Sequence, residues 1–243
     1  MLDSDENKPK QPLLLKGPTW PALDFFQSSG QPDETRANRF LVNGVPVYLE
    51  ESGREDVEEH TKRTAFTVWD CSLVLAKYLE KQKNSLDLDS KRVLELGSGK
   101  GIVGISSALL GAKEVLLTDV SEVVSNLEKT VALNKLTSTV RVKELDWTDR
   151  SLVSSFEKYD LIVAADVVWV DWLIEPLVET IFELSTPDTT ILLGHLSRSS
   201  RGDEHLFRCL KDRGFVVTKI PAWELDYLYS KDEINIYHIK LSP

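Results

Sequence analysis

Basic residues are scarce in this chain of 243 residues: 29 Lys and Arg stand against 39 Asp and Glu, a formal net charge of −10. A nucleic-acid backbone needs a basic face, so no nucleic-acid partner is expected. The same balance suits a basic protein or an amine. Cysteine is scarcer still. Cys71 and Cys209 are too few for a disulfide framework and suggest a reducing compartment. His60, His195, His205 and His238 read as scattered, and with the cysteines they form no metal-binding spacing, so no metal is expected. No apolar run approaches the ~20 residues that a membrane span requires. Met1 to Glu6 is acidic and the apolar run near it is only Leu13-Leu14-Leu15, so no signal peptide is expected either. The expectation is a monomer in the cytoplasm, with the nucleus as a second location.

What is present reads as one large domain behind an arm. Residues 1–36 hold five of the ten prolines, with Ser, Gln and charge between them, the pattern of a flexible segment. Residues 37–243 are long enough for a full core. Phe40 to Leu49 alternates around Asn43-Gly44, a hairpin signal with Pro46 marking an edge strand. Glu50 to His60 reads as an acidic loop. Apolar residues then recur at helical spacing from Val68 to Gln82. Beyond it strands are predicted near 91–96, 114–118, 140–145, 159–165, 189–194, 215–220 and 234–241. Helices are predicted near 101–110, 121–134, 171–185 and 203–213. The alternation predicts an α/β, doubly wound, Rossmann-like sheet of seven strands. The connection before the last strand is too short for a parallel crossover, so that strand should be antiparallel.

The stretch Val93-Leu94-Glu95-Leu96-Gly97-Ser98-Gly99-Lys100-Gly101 reads as a buried strand, a glycine turn and a helix start. Such a turn lets the backbone approach a ligand, and the helix start offers it free N–H groups. The dinucleotide fingerprint needs a third glycine where Ile102 stands, and a P-loop needs Ser or Thr where Gly101 follows Lys100. An ordinary strand-to-helix turn would leave Glu95 and Asp119 as coincidences. Glu95 would repel a pyrophosphate but suits an ammonium group. Asp119, about 20 residues past the first glycine, is placed for ribose hydroxyls. A nucleoside with a positive end meets both demands, and S-adenosylmethionine (SAM) is one.

Four segments in this order resemble methyltransferase family 16, the seven-β-strand SAM-dependent protein-lysine methyltransferases, over roughly residues 40–241. Val68-Trp69-Asp70 is similar to the family's Val-Trp element, whose Trp borders the cofactor. Glu95 to Gly101 matches its glycine motif, which implies cofactor contacts at Glu95, Gly97, Ser98, Gly99 and Gly101. Lys143-Glu144-Leu145-Asp146-Trp147 resembles the segment whose Trp lies by the adenine, which adds Asp146 and Trp147. Ala164-Ala165-Asp166-Val167-Val168-Trp169 stands where the family has Asp-x-x-Tyr, with Ala165 beside the cofactor. The signature tyrosine is Trp169 here, so its hydroxyl is gone, although an indole face can hold a cation.

The resemblance implies methyl transfer from SAM to a protein lysine. Asp166 is the candidate to position the amine and accept its proton, and Trp169 to form a wall. Plainer readings stand beside these: Trp69 as core, Trp147 as a sheet cover, Asp166 as a helix cap. Asn126 and Asn134 read as solvent-facing or capping, and His195 as structural. Two segments could choose a basic, lysine-bearing protein substrate: Leu196 to Gly202, and the acid and aromatic run Trp223 to Tyr229. The competing functions are methylation of another nitrogen (arginine, histidine or a small amine) and a non-catalytic SAM-binding module.

Overall fold

The computed structural model describes residues 40–50 and 64–242, so the expected arm over 1–36 and most of the acidic loop lie outside the described residues. The first described element is a hairpin, β1 Leu41–Val42 and β2 Val45–Pro46. Asn43 and Gly44 at its turn have φ of 51° and 74°. Positive φ at both positions matches the twist of paired strands, which is why Asn-Gly announces such turns. The hairpin is fastened to helix α1 (Asp70–Gln82), where Lys77 Nζ donates to Leu41 O at 2.6 Å and Glu80 accepts from Asn43 N at 2.7 Å.

The main sheet holds β3 Arg92–Leu96, β4 Glu114–Asp119, β5 Val140–Glu144, β6 Leu161–Ala165, β7 Thr190–Leu196, β8 Phe215–Lys219 and β9 Ile234–Leu241. Its order is β5-β4-β3-β6-β7-β9-β8. All strands run parallel except β9, which is antiparallel to both neighbours. The predicted seven strands and the reversed last one are therefore present, and β9 lies inside the sheet, between β7 and β8.

Between the strands come α2 Ile102–Leu109, α3 Ser121–Leu133, α4 Arg150–Val153, α5 Ile174–Leu184 and α6 Ser200–Asp212. The single turn α4 has no apolar periodicity to announce it; Asp149 caps it by accepting from Ser151 N and Leu152 N. Helix α6 begins at Ser200 rather than 203, because Ser199 accepts from Gly202 N as its cap. The helix predicted from 171 begins as a 3-10 turn, Asp171–Leu173.

Side chains alternate across the sheet, so each face has its own core. Val93 joins Leu75, Ile105 and Leu117 on one face. Leu94 and Leu96 join Ile162, Ile181 and Leu210 on the other. Each fully buried leucine contributes roughly 2 kcal/mol. The same alternation aims Glu95, 2% exposed, at the α2 side together with Val93. Helix α2 is buried on nearly every side. Its serines satisfy their hydroxyls internally, Ser106 on Ile102 O at 2.6 Å and Ser107 on Val103 O at 2.9 Å. Asn126 is buried rather than solvent-facing. Asn134 ends α3 and clamps the segment after the hairpin through Tyr48 N and O, at 3.0 and 2.7 Å.

Candidate active site

Strand order reverses at β3: β4 and β5 extend one way, β6 and β7 the other. Open parallel sheets bind ligands at the carboxyl ends of strands at such a point. A cavity of about 190 Å3 lies there. It brings together Trp69, Glu95, Gly97, Ser98, Gly99, Asp119, Asp146, Trp147, Ala165, Asp166 and Trp169, eleven of the twelve candidate residues. Gly101 is the exception. It starts α2 at φ 78°, and a Cβ there would meet Leu127 at 3.0 Å and Leu117 at 3.2 Å, so it faces the core.

The glycine turn is pressed between its neighbours. Gly97 has φ 63°, and a Cβ on it would come within 2.8 Å of Val167 and 3.2 Å of Trp147. Ser98 N donates to Thr118 O at 2.9 Å, and Thr118 N donates back to Ser98 Oγ at 3.0 Å. The turn is thus sewn to β4 before any ligand arrives.

Both acids of this side are held by main-chain donors. Glu95 accepts from Gly104 N at 2.9 Å. Asp119 accepts from Gly99 N and Val120 N, each at 2.8 Å. Burial pushes the Glu95 carboxyl up to about 8, with Gly104 N–H pulling the other way. Burial likewise pushes Asp119 up to about 6. Among the described residues no Lys or Arg pairs with either, so the wall carries two carboxyl groups short of a cation. Trp147 borders the same space, and its buried Nε1 has no acceptor among the described residues. Asp146 forms a local turn, accepting from Thr148 N at 2.8 Å and Thr148 Oγ1 at 2.7 Å. A ligand with positive charge at one end and a polar ring at the other fits this donor set, and SAM has both.

The opposite side is built otherwise. Asp166, buried just past β6, has φ 60° and an ion pair with Arg198, whose Nη2 donates to Oδ2 at 2.6 Å while Nη1 donates to Oδ1. Asp166 does not cap α5; Ile174 lies eight positions further along the chain. The Arg198 guanidinium also lies 5.4 Å from the Trp69 ring centroid. Trp69 Nε1 donates to Thr64 O at 3.0 Å. Trp169 is half-buried, and Trp172, 64% exposed, stands at the mouth.

Sequence reasoning placed Arg198 only in a surface segment, and it did not select Ser72, Lys100, Trp172 or Leu173, which also line the cavity. Trp172 follows Trp169 by three, a spacing that could have suggested it. His195 is away from the cavity; its Nε2 lies 2.8 Å from Asp203 Oδ1 and ties β7 to α6. His205 and Cys209, read as scattered, in fact meet Glu175 across α5 and α6.

A family model described as "Lysine methyltransferase" matches residues 52–213. EEF1A lysine methyltransferase 3 of Xenopus tropicalis is 36% identical over 177 residues, spanning 72% of this chain and 74% of that protein. Protein N-lysine methyltransferase METTL21A of Danio rerio is 37% identical over 177 residues, spanning 71% and 76%. Among solved structures, a precorrin-6y C5,15-methyltransferase of Geobacter metallireducens GS-15 superposes with a TM-score of 0.52 at 13% identity, covering 70% of this chain and 88% of that one. That last likeness is one of fold alone.

Proposed function

Because the chain belongs to the lysine methyltransferase family, we propose that its two reactants meet in the switch-point cavity, cofactor along β3 to β5 and acceptor against β6. The activity is that of a SAM-dependent protein-lysine N-methyltransferase. The observation that carries the site reading is the pair of carboxyl groups, buried Glu95 and half-buried Asp119, flanking the glycine turn with no cation paired to either among the described residues.

SAM supplies a methyl group already activated on a sulfonium, so the protein has mainly to position. Glu95 would hold the ammonium of the methionine end. Asp119, with lone pairs left beyond its two main-chain bonds, would take the ribose hydroxyls. Trp147 would pack on the adenine, with its Nε1 finding an acceptor there. Asp166 and Trp169 would border the acceptor end, where Trp172 and also Trp69, expected from the sequence beside the cofactor, would add ring faces. The acceptor must arrive neutral, since a lysine of ordinary pKa ~10.4 is mostly protonated at pH 7. Desolvation among these rings disfavours its charged form.

The substrate is a protein, and we propose one with a basic surface around the target lysine. A net charge of −10 supports this. So do Trp223, Tyr227 and Leu228, exposed by 80%, 84% and 61%, beside Glu224 and Asp226 on the loop before β9. EEF1A, from the frog relative's name, is the first protein to try. The cytoplasm or nucleus is the proposed place of action.

The test incubates the protein with methyl-labelled SAM and an extract of cells lacking it, with Asp166→Ala beside it. One or a few labelled protein bands, lost with the variant, are expected, and mapping the modified residue decides between lysine and another nitrogen. Label confined to small molecules overturns the protein-substrate reading.

A further inference from the structure

Asp166 is the strained residue of this cavity. Its φ of 60° lies in the left-handed region, where a residue with a side chain stays only when its surroundings hold it. Its backbone N donates to Gly194 O at 2.8 Å, and its side chain, 2% exposed, is grasped at both carboxylate oxygens by Arg198. A planar guanidinium can grip two oxygens at once and lie over a ring face at the same time. Here it does both, with Trp69 as the ring. One cation therefore joins the end of β6 to the residue before α1, and both of its partners border the cavity. Behind it lies a second cavity of about 100 Å3, which Arg198 lines and which shares Trp169 with the first. Trp169 thus stands between the two cavities, and Arg198, which borders the second, is held against Asp166 and Trp69, which border the first.

We infer that Arg198 is a positioning residue for methyl transfer: it acts through Asp166 and Trp69, fixing the wall against which the acceptor amine lies. This rests on the proposed acceptor site above. It also changes the part given to Asp166. Both carboxylate oxygens already accept a charge-assisted N–H bond, and protonation would break that pairing. Asp166 therefore orients the amine, and the ammonium releases its proton to water at the mouth. The amine lone pair then forms the new N–C bond as the C–S bond breaks, its electrons staying on sulfur. The product leaves as a methylated ammonium.

The experiment measures turnover and SAM KM on a protein band that the wild type labels, for Arg198→Ala and Arg198→Lys. Arg198→Ala is expected to lose about 100-fold in turnover, as a misplaced wall would, while KM for SAM stays within about threefold. Arg198→Lys should stay slow, because an ammonium cannot span both oxygens as the fork does. If Arg198→Ala does not fold, Arg198→Lys, which keeps a positive charge beside Asp166, is judged by the same two numbers. Wild-type turnover in Arg198→Ala or Arg198→Lys overturns the inference and leaves the proposed function standing. A matching loss of SAM affinity also overturns it, since the effect would then be general. If the wild type labels no protein, both fall together.

Discussion

On the β3–β4 side of the cavity, Glu95 and Asp119 are bonded by the main-chain N–H groups of Gly104, Gly99 and Val120. On the β6–β7 side, Asp166 is bonded by the side chain of Arg198. Main-chain donors are neutral, so they solvate a carboxylate without cancelling its charge. Glu95 and Asp119 consequently drift upward on burial. Arg198 brings a full opposite charge, and the acceptor side is neutralised by the protein itself. One half is prepared for a cation from outside; the other already contains its own.

The comparison breaks most visibly on the acceptor side. Asp166→Ala strands the Arg198 guanidinium in a largely buried place, which should destabilise the fold by about 3–5 kcal/mol. Urea denaturation checks this, and adding Arg198→Leu should recover most of the loss. On the cofactor side the donor itself can be displaced. A Cβ on Gly104 would lie 2.1 Å from Leu117 Cδ2 and 2.8 Å from Glu95 Oε2. Gly104→Ala should therefore destabilise by about 1–3 kcal/mol and weaken SAM binding, by denaturation and calorimetry.

A pH series sharpens the contrast without forcing the packing. The folded Glu95 carboxyl titrates at about 8, above its ordinary 4.5. Between those values the unfolded chain gives up a proton that the folded chain keeps, so stability falls as pH rises. Asp119 adds the same sign between 3.8 and about 6. SAM affinity should run the opposite way, rising up to about tenfold per pH unit toward pH 8 as Glu95 ionises. Melting curves and calorimetry from pH 5 to 9 follow both slopes, and Glu95→Gln should flatten them. The smallest effect is expected from Trp169→Tyr, which restores the hydroxyl at the cavity wall. Stability should stay within about 0.5 kcal/mol, SAM affinity should hold, and turnover should change by less than about tenfold.

The same contrast explains what could be read beforehand. Glu95, Gly97 and Asp119 lie on one strand–turn–helix–strand unit, where spacing alone brings them together. The hairpin was legible because Asn43 and Gly44 tolerate positive φ. Arg198 was not, because its partner is 32 residues away and the two meet only after β6 and β7 have paired. Gly101 looked like its neighbours in the motif, yet its environment is Leu117 and Leu127, which only the packed structure reveals. His205 and Cys209 stand four apart on α6, a helical neighbour spacing; Glu175, on a different helix, carries no such sign.

The place of β9 has a consequence for how the chain is made. It is synthesised after β7 and β8, yet it lies between them and pairs with both. Until it arrives, those strands have no shared edge, and each presents open N–H and C=O groups. A growing chain can build the cofactor side, β3 to β5, from contiguous sequence. The Arg198 end of β7 gains its outer neighbour only when the final strand slides in, so the cofactor side can take shape during synthesis while the acceptor side must wait for the last turn of assembly.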